Sequence, residues 1–367
     1  MEEQGTDLVV LPPGEDFLYL TGRLPLRDER ACFLMISMDR ALLLVPRLQV
    51  GELAQLGLPL FPYADPEGPT RAVREATRTL GRVRTVAVAD DLRADHLLLL
   101  QDLLPDARFT LASSLLAPLR MRKDPDEVEA LRRSAAAADA GVLAAIRACR
   151  PGVSEREVAE AAGEAMRRAG AEEVLFTLVA SGPNSAFPHH RSSDRALQPG
   201  EPVLLDLGGR MGGYCSDITR MAFLWTWAAG WAATAITRMA FLGPPPENCR
   251  EVQRIVEEAV QAALETIRPG VPAAEVDRAA RRVITEVGYG DRFVHRTGHG
   301  LGLSPHEPPS VTEANPMPLE EGMVFTVEPG IYLPGAFGVR LEEAVVVRPH
   351  GPEILSRLPR EGFEIPA

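Results

Sequence analysis

Cysteine is scarce and unpatterned: Cys32, Cys149, Cys215 and Cys249 stand far apart with no CxxC spacing. That argues against a disulfide framework and suits a reducing compartment. Clusters of Lys and Arg are missing too. The net charge is −12 and the isoelectric point about 5.2, whereas phosphate-backbone binding needs a concentrated basic face, so no nucleic-acid partner is expected. Solvated surface accounts for most of this acidity and leaves a part for metal-binding carboxylate. The start, Met1-Glu2-Glu3-Gln4, has neither the positive nor the apolar region of a signal peptide, so the cytoplasm is the expected compartment. One uncharged run, Met221 to Thr237, holds all three Trp of the chain and is 17 residues long. It only touches the lower edge of a membrane span, ~17–25 residues, and is rich in Ala, Thr and Gly. No membrane partner is expected.

What is present reads as globular protein: 46% hydrophobic and 25% charged residues with mean hydropathy near zero, in a chain long enough for two cores. The first ~115 residues alternate apolar runs with polar helix-like segments, the pattern of a small α/β domain. Leu8–Leu11, Ala31–Met38, Ala41–Val45 and Thr85–Ala89 read as strands, and Asp91–Leu104 as a helix. Pro12-Pro13-Gly14 and the stretch from Pro59 to Pro69 are breaks. Nothing in this half has metal-ligand or nucleophile spacing.

Asp124-Pro125-Asp126-Glu127 is a helix start, with Asp as N-cap, Pro at the first helical position and Glu at the third. It places a domain boundary near 118/119, giving domains 1–118 and 119–367 and an α+β chain overall. The Ala-rich helix runs to about Cys149; Ser154-Glu155-Arg156-Glu157 opens the next as a capping box, and Gly170 closes it. Arg150-Pro151-Gly152-Val153 recurs as Arg268-Pro269-Gly270-Val271, each leading into an amphipathic helix. Two related α/β halves would explain this, as would common turn chemistry. A second repeat is local. Ile218-Thr219-Arg220-Met221-Ala222-Phe223-Leu224 returns unchanged as Ile236–Leu242, an 18-residue offset that marks a tandem duplication or insert near 225–242.

The chemistry gathers after Pro202. Val203-Leu204-Leu205-Asp206-Leu207 reads as an apolar strand ending in a carboxylate, Gly208–Gly213 as a loop and Tyr214–Arg220 as the return strand. Such a hairpin brings Asp206 and Asp217 together, and two close carboxylates need a shared proton or a metal. Thr297-Gly298-His299-Gly300 follows, then His306-Glu307, with His295 just upstream; glycines beside His299 permit close approach to a ligand or ion. Glu328 and Glu342 are strand-borne acids in apolar runs, where a carboxylate costs several kcal/mol unless paired or metal-bound. Singly, each reads as a capped or solvated side chain. Five together, with these flanks, do not.

These motifs resemble the pita-bread metallopeptidases, the family that includes prolidase and aminopeptidase P, with methionine aminopeptidase more distant. The resemblance rests on Leu205-Asp206-Leu207-Gly208, Tyr214-Cys215-Ser216-Asp217-Ile218-Thr219-Arg220, Gly298-His299-Gly300-Leu301-Gly302, His306-Glu307, Val327-Glu328-Pro329-Gly330 and Arg340-Leu341-Glu342. It covers Asp124 to the C-terminus, and more loosely the first half through Tyr19-Leu20-Thr21-Gly22. It implies a duplicated α/β pita-bread domain behind a creatinase-like N-terminal domain. Asp206 is then expected to bind one metal, His299 and Glu328 the other, and Asp217 and Glu342 to bridge both. Four carboxylates with one imidazole suit Mn²⁺, with Co²⁺ or Zn²⁺ as substitutes. Two cations sharing a water lower its pKa and aim a hydroxide at a peptide carbonyl. By the same resemblance Glu328 serves as general base, His306 steadies the oxyanion or assists the leaving nitrogen, His189 and His295 line the substrate pocket, and Arg340 orients the carboxylates.

The implied activity is metal-dependent hydrolysis of Xaa-Pro bonds. Dipeptides are favoured because the N-terminal domain is small and could cap the pocket, with Arg47 or Arg23 holding the substrate carboxylate. Aminopeptidase P action on longer peptides is the alternative. Retention of all five ligand types argues against a metal-free creatinase-like enzyme; a non-catalytic binding module using the Trp-rich insert is the third class. A homodimer is expected from the family alone. The chain departs from the family where the Gly243-Pro244-Pro245-Pro246 turn follows the second repeat copy, in which Ala235 stands where the first has Asp217. The first copy is expected to hold the sheet slot, since Asp217 is tied covalently to the hairpin.

Overall fold

The computed structural model describes residues 1–225, 248–360 and 363–366. The chain divides into two compact units, Met1–Arg120 and Met121–Ala367.

The first unit is built on one six-stranded mixed sheet. Leu8–Leu11 lies inside it, antiparallel to Phe33–Ile36 on one side and parallel to Thr85–Val88 on the other. Every residue of that strand is apolar because both faces are covered. Leu8 and Val10 pack into one cluster with Phe33, Val73 and Leu100, and Val9 and Leu11 into a second with Phe17, Leu34 and Leu53. This is the period-two alternation of a pleated strand between two helical layers. The helix expected over Asp91–Leu104 is shorter, Ala94–Leu103. Its first residues are used in a turn instead, where Leu92 N–H donates to Ala89 O and Asp91 pairs with Arg27.

The second unit opens with the helix Pro125–Ala148. Asp124 accepts from the backbone N–H groups of Asp126 and Glu127, and Glu127 returns the bond to Asp124 N–H at 2.8 Å. A second capping box, Ser154 with Glu157, starts the helix Glu155–Arg168. The helices Cys249–Thr266 and Ala273–Glu286 repeat this pairing around the second Arg-Pro-Gly-Val turn. The two turns are anchored alike. Gly152 N–H donates to Leu197 O and Leu197 N–H to Val153 O; Gly270 N–H donates to Leu319 O and Leu319 N–H to Val271 O. Gly152 and Gly270 both hold positive φ, 81° and 87°, a conformation glycine adopts without steric cost. The repeat is therefore structural, and the fold is a duplicated α/β unit.

Among the described residues, a two-stranded sheet, Gly330–Leu333 with Phe337–Arg340, and two five-stranded sheets complete it. In one, Pro202–Met211 lies between Glu173–Ser181 and Ile218–Trp225, with Phe363–Pro366 on the far edge; in the other, Val324–Val327 lies between Gly298–Gly300 and Glu343–Arg348. The first copy of the heptapeptide thus holds the sheet slot, with Thr219 opposite Asp206. The second copy, and the insert beyond Trp225, lie outside the described residues. Among those described, no helix is long and apolar enough to cross a membrane.

The hairpin is tighter than the sequence suggests. Strand pairing continues through Arg210↔Cys215 and Met211↔Tyr214, leaving only Gly212 and Gly213, at φ 61° and 81°, as the turn. Gly208 and Gly209 serve packing instead: a Cβ on Gly208 would lie 2.3 Å from the Phe176 ring, and one on Gly209 2.7 Å from Met166. Asp206 consequently sits mid-strand rather than at a strand end.

Candidate metal centre

Val203, Leu204, Leu205 and Leu207 are buried around Asp206, so the strand is held by its apolar neighbours while the carboxylate faces the cavity. The other three acids are not within strands. Asp217 falls between Tyr214–Cys215 and Ile218–Trp225, Glu328 just after Val324–Val327, and Glu342 between Phe337–Arg340 and Glu343–Arg348. A residue in a ladder break escapes the strict up-down alternation, so its side chain can turn toward a common point. Their backbones stay fixed: Glu328 N–H donates to Thr297 O at 2.7 Å and Glu342 N–H to Thr219 O at 3.2 Å.

His299 lies on the short strand Gly298–Gly300. Its flanking glycines admit neighbouring backbone rather than a ligand, since a Cβ on Gly298 would lie 1.8 Å from Thr326 O and one on Gly300 2.1 Å from Pro308 O. His299 Nδ1 faces Gly300 O at 3.1 Å and must donate there. That leaves Nε2 toward the acids, 3.2 Å from Glu328 Oε1 and 3.7 Å from Asp217 Oδ2.

Three sets of ligand atoms each lie within 4.8 Å of one another: Asp206, Asp217 and Glu342; His299, Glu328 and Glu342; Asp217, His299 and His306. Glu342 belongs to the first two and Asp217 to the first and third, so the sets overlap as one cluster with shared ligands. Electrostatics agree. Burial and then the neighbouring carboxylates push Asp217 and Glu342 well above the usual carboxylate range, and burial raises Asp206 against the pull of Arg340. Glu328 goes the other way. Burial opposes its charge, but the hydrogen bond and charge of His299, with His295 and Arg340, bring it to about 2. Asp206 Oδ1 and Glu342 Oε1 are buried with no hydrogen-bond partner. Such oxygens are costly unless a cation meets them. Two divalent ions match four carboxylates in charge, and an oxygen-rich set with one imidazole suits hard or borderline metals. The residues fit the implied metals.

The cluster lines a cavity of about 970 Å³ together with His189, His295, His306 and Arg340. His306 stands edge-on to His299 with ring centroids 4.1 Å apart. Burial and the neighbouring His299 charge lower its pKa to about 4, leaving a neutral ring. His295 Nδ1 donates to Arg296 O at 2.7 Å, so its Nε2 accepts from Tyr332 Oη at 2.8 Å. Arg340 in turn donates to Tyr332 Oη at 2.9 Å and to Asp206 Oδ2 at 2.6 Å. Arg340 therefore ties one expected metal ligand to one expected substrate histidine through the Tyr332 hydroxyl. Arg47 and Arg23 belong to the first unit, where both are exposed and Arg23 donates to Gln55 Oε1 at 3.0 Å; every residue lining the cavity comes from the second unit.

Several supporting residues were given no role by the sequence. Thr219 donates to Glu342 Oε2 at 2.8 Å and Thr326 to Glu328 Oε1 at 3.1 Å; Tyr332 bridges His295 and Arg340. None has a motif of its own. A signal existed only for Thr219 and Thr326, whose strand positions lie two residues from Asp217 and from Glu328.

Comparisons with known proteins cover nearly the whole chain. Residues 129–349 match the model of metallopeptidase family M24, and residues 1–122 that of the creatinase/prolidase N-terminal domain. A probable dipeptidase PepE of Mycobacterium tuberculosis is 37% identical over 98% of this chain and 92% of its own length. An Xaa-Pro dipeptidase of Lactobacillus helveticus is 34% identical over 96% and 93%. The crystal structure of recombinant prolidase from Thermococcus sibiricus superposes with a TM-score of 0.90 at 34% identity, covering 99% of this chain and 96% of that one. With the site geometry, fold and full-length similarity in accord, this chain belongs to metallopeptidase family M24, preceded by a creatinase/prolidase-type N-terminal domain.

Proposed function

We propose that the protein is a dinuclear metal-dependent dipeptidase that cleaves the bond before proline in Xaa-Pro dipeptides. The observation that carries this reading is the pair of overlapping ligand sets sharing Glu342 in one cavity with three candidate substrate-side histidines. Asp206, Asp217 and Glu342 would hold one ion, and His299, Glu328, Glu342 and Asp217 the other, with Mn²⁺ the preferred metal for this donor set. Divalent ions held there supply Lewis acidity and an acidified water at neutral pH. Glu328 accepts the proton of the attacking water and returns it toward the leaving proline nitrogen. His306, neutral and exposed at the cluster's edge, donates its N–H to the developing oxyanion. His189 and His295 border the substrate, and Arg340 keeps Asp206 and Tyr332 oriented.

The dipeptide preference is supported by the names of the M. tuberculosis and L. helveticus relatives. The domain boundary is set at 118/119, and the enzyme acts as a cytoplasmic homodimer. The test is hydrolysis of Xaa-Pro dipeptides and tripeptides, with and without Mn²⁺, on protein whose metal has been counted. Cleavage that follows metal content to about two ions per chain, and falls on lengthening the peptide, supports the reading. Cleavage insensitive to chelator, or tripeptides cleaved as well as dipeptides, sinks it in whole or in its dipeptide part.

A further inference from the structure

Glu155 is the first residue of the helix Glu155–Arg168, a position where an acid usually faces solvent and the helix dipole. Here it is fully buried, at 0% exposure. Oε1 accepts from Ser181 N–H at 2.7 Å, Ser181 Oγ at 2.8 Å and Asn184 Nδ2 at 2.9 Å. Oε2 accepts from His190 Nε2 at 2.9 Å, Ser193 N–H at 3.0 Å and Ser193 Oγ at 2.7 Å. All six donors come from one stretch of chain, Ser181 to Ser193. A buried carboxylate is tolerated only when its lone pairs are filled in this way, so the segment and the acid fix one another.

That segment carries His189 and His190, both of which line the cavity, while Glu155 itself does not. A second tie reaches the same turn, where Arg340 donates to Pro188 O at 3.3 Å while also holding Asp206. The backbone of the His189 turn is therefore pinned between the Glu155 hub and the arginine bound to the carboxylate cluster. Glu155 is in none of the ligand sets, and its bonds reach the site only through this turn.

We propose that Glu155 is a positioning residue for the substrate side of the cavity, holding the Ser181–Ser193 segment so that His189 meets the substrate, and that it governs substrate affinity rather than the bond-breaking step. This rests on the Xaa-Pro dipeptidase reading. Replacing it with the isosteric amide, Glu155→Gln, keeps the volume, removes the charge and turns one acceptor into a donor facing donors.

The experiment compares wild-type and Glu155→Gln full-length enzyme, both loaded with Mn²⁺. It measures Xaa-Pro kinetics, metal content and amide hydrogen exchange across 181–193. The expected result is KM raised about tenfold or more, kcat within about threefold, two ions per chain in both, and faster exchange confined to that segment. Ser193→Ala, which deletes a single donor, should move KM and exchange the same way by less, and serves if the first variant does not fold. Unchanged exchange, or faster exchange with unchanged KM, would overturn the proposal. So would a fall in kcat with KM constant, or loss of metal. A wild-type enzyme that cleaves no Xaa-Pro peptide when metal-loaded would instead overturn the dipeptidase reading, so the two failures are distinguishable.

Discussion

The helices Glu155–Arg168 and Ala273–Glu286 each span 14 residues, follow the same Arg-Pro-Gly-Val turn and dock that turn through matching hydrogen bonds. Each buries one acid, but at different places and for different ends. In the first half Glu155 is held by neutral donors and His190, and it grips the segment bearing His189. In the second, Asp277 is held by Arg281 at 3.0 and 3.1 Å and accepts from Thr297 N–H and Oγ1 at 3.1 and 2.7 Å. Thr297 lies two residues before His299 and receives the Glu328 N–H, and Arg281 also donates to His295 O at 3.0 Å. Duplication gave both halves one scaffold. The buried acid grips the segment bearing His189 in one half and the segment running to His299 in the other.

The sharpest test of that division lies at the ligands the two halves share. Asp217 comes from the first half and Glu342 from the second, yet both are proposed to serve two ions. Asp217→Asn and Glu342→Gln should each lower kcat/KM by on the order of 10³-fold or more. Each should also drop metal content below two per chain, whereas Asp206→Asn should leave one ion in place. Metal analysis showing two ions retained in the Asp217 variant would mean that the first half contributes no bridge.

Metal removal should show as a pH-dependent loss of stability. Burial, with the neighbouring carboxylates, raises Asp217 and Glu342 above their unfolded values. Groups raised in this way stabilise the fold below the ordinary carboxylate range, and that contribution is lost as pH rises toward their folded values. Metal-free protein should therefore weaken as pH rises above the ordinary carboxylate range, and added Mn²⁺ should raise Tm more at pH 8 than at pH 5. Thermal unfolding at the two pH values, with chelator and with Mn²⁺, measures this directly. An equal metal effect at both would show that the cluster is not charge-strained.

Asp277→Asn should separate the halves in the opposite sense to Glu155→Gln. Loosening the Thr297 segment should weaken Mn²⁺ binding by about 10–100-fold, the usual range for a residue that orients metal ligands. KM for the dipeptide at saturating metal should change less than metal affinity, because only the Arg281 bond to His295 O links Asp277 to the substrate side. Calorimetric metal titration beside steady-state kinetics reads both. A raised KM with unaltered metal affinity would mean that both buried acids serve substrate.

The parts legible in sequence were those with short-range causes. Asp124 and Ser154 announced helix starts because capping is decided within four residues. Four of the five candidate ligand positions drew notice because acids inside apolar runs are costly and therefore few, and His299 through its flanking glycines. Gly208 and Gly209 misled because a glycine run reads as a turn, when here it accommodates Phe176 and Met166 from other elements. Glu155 reads only as part of a helix start, and Asp277 drew no reading at all. Their burial depends on segments 26 to 38 and 20 residues away, and no local pattern carries that.

The smallest effect bears on how the first half holds its acid. Burial works against the Glu155 charge, but the bonds from Ser193, His190, Ser181 and Asn184 outweigh it and bring its pKa to about 2 from an ordinary 4.5. A carboxyl lowered in this way stabilises the fold above its unfolded pKa and loses that contribution as pH falls toward the folded one. The full difference corresponds to about 3 kcal/mol, of which about 2 should be lost between pH 6 and pH 3. Glu155→Gln, which cannot titrate, should thus lie furthest below wild type near neutrality and close most of the gap by pH 3 in urea unfolding. A gap that stays constant with pH would mean that the six donors recognise the shape of the side chain rather than its charge. The first half would then hold its substrate loop by packing, unlike the second, where Asp277 is paired with a permanent cation.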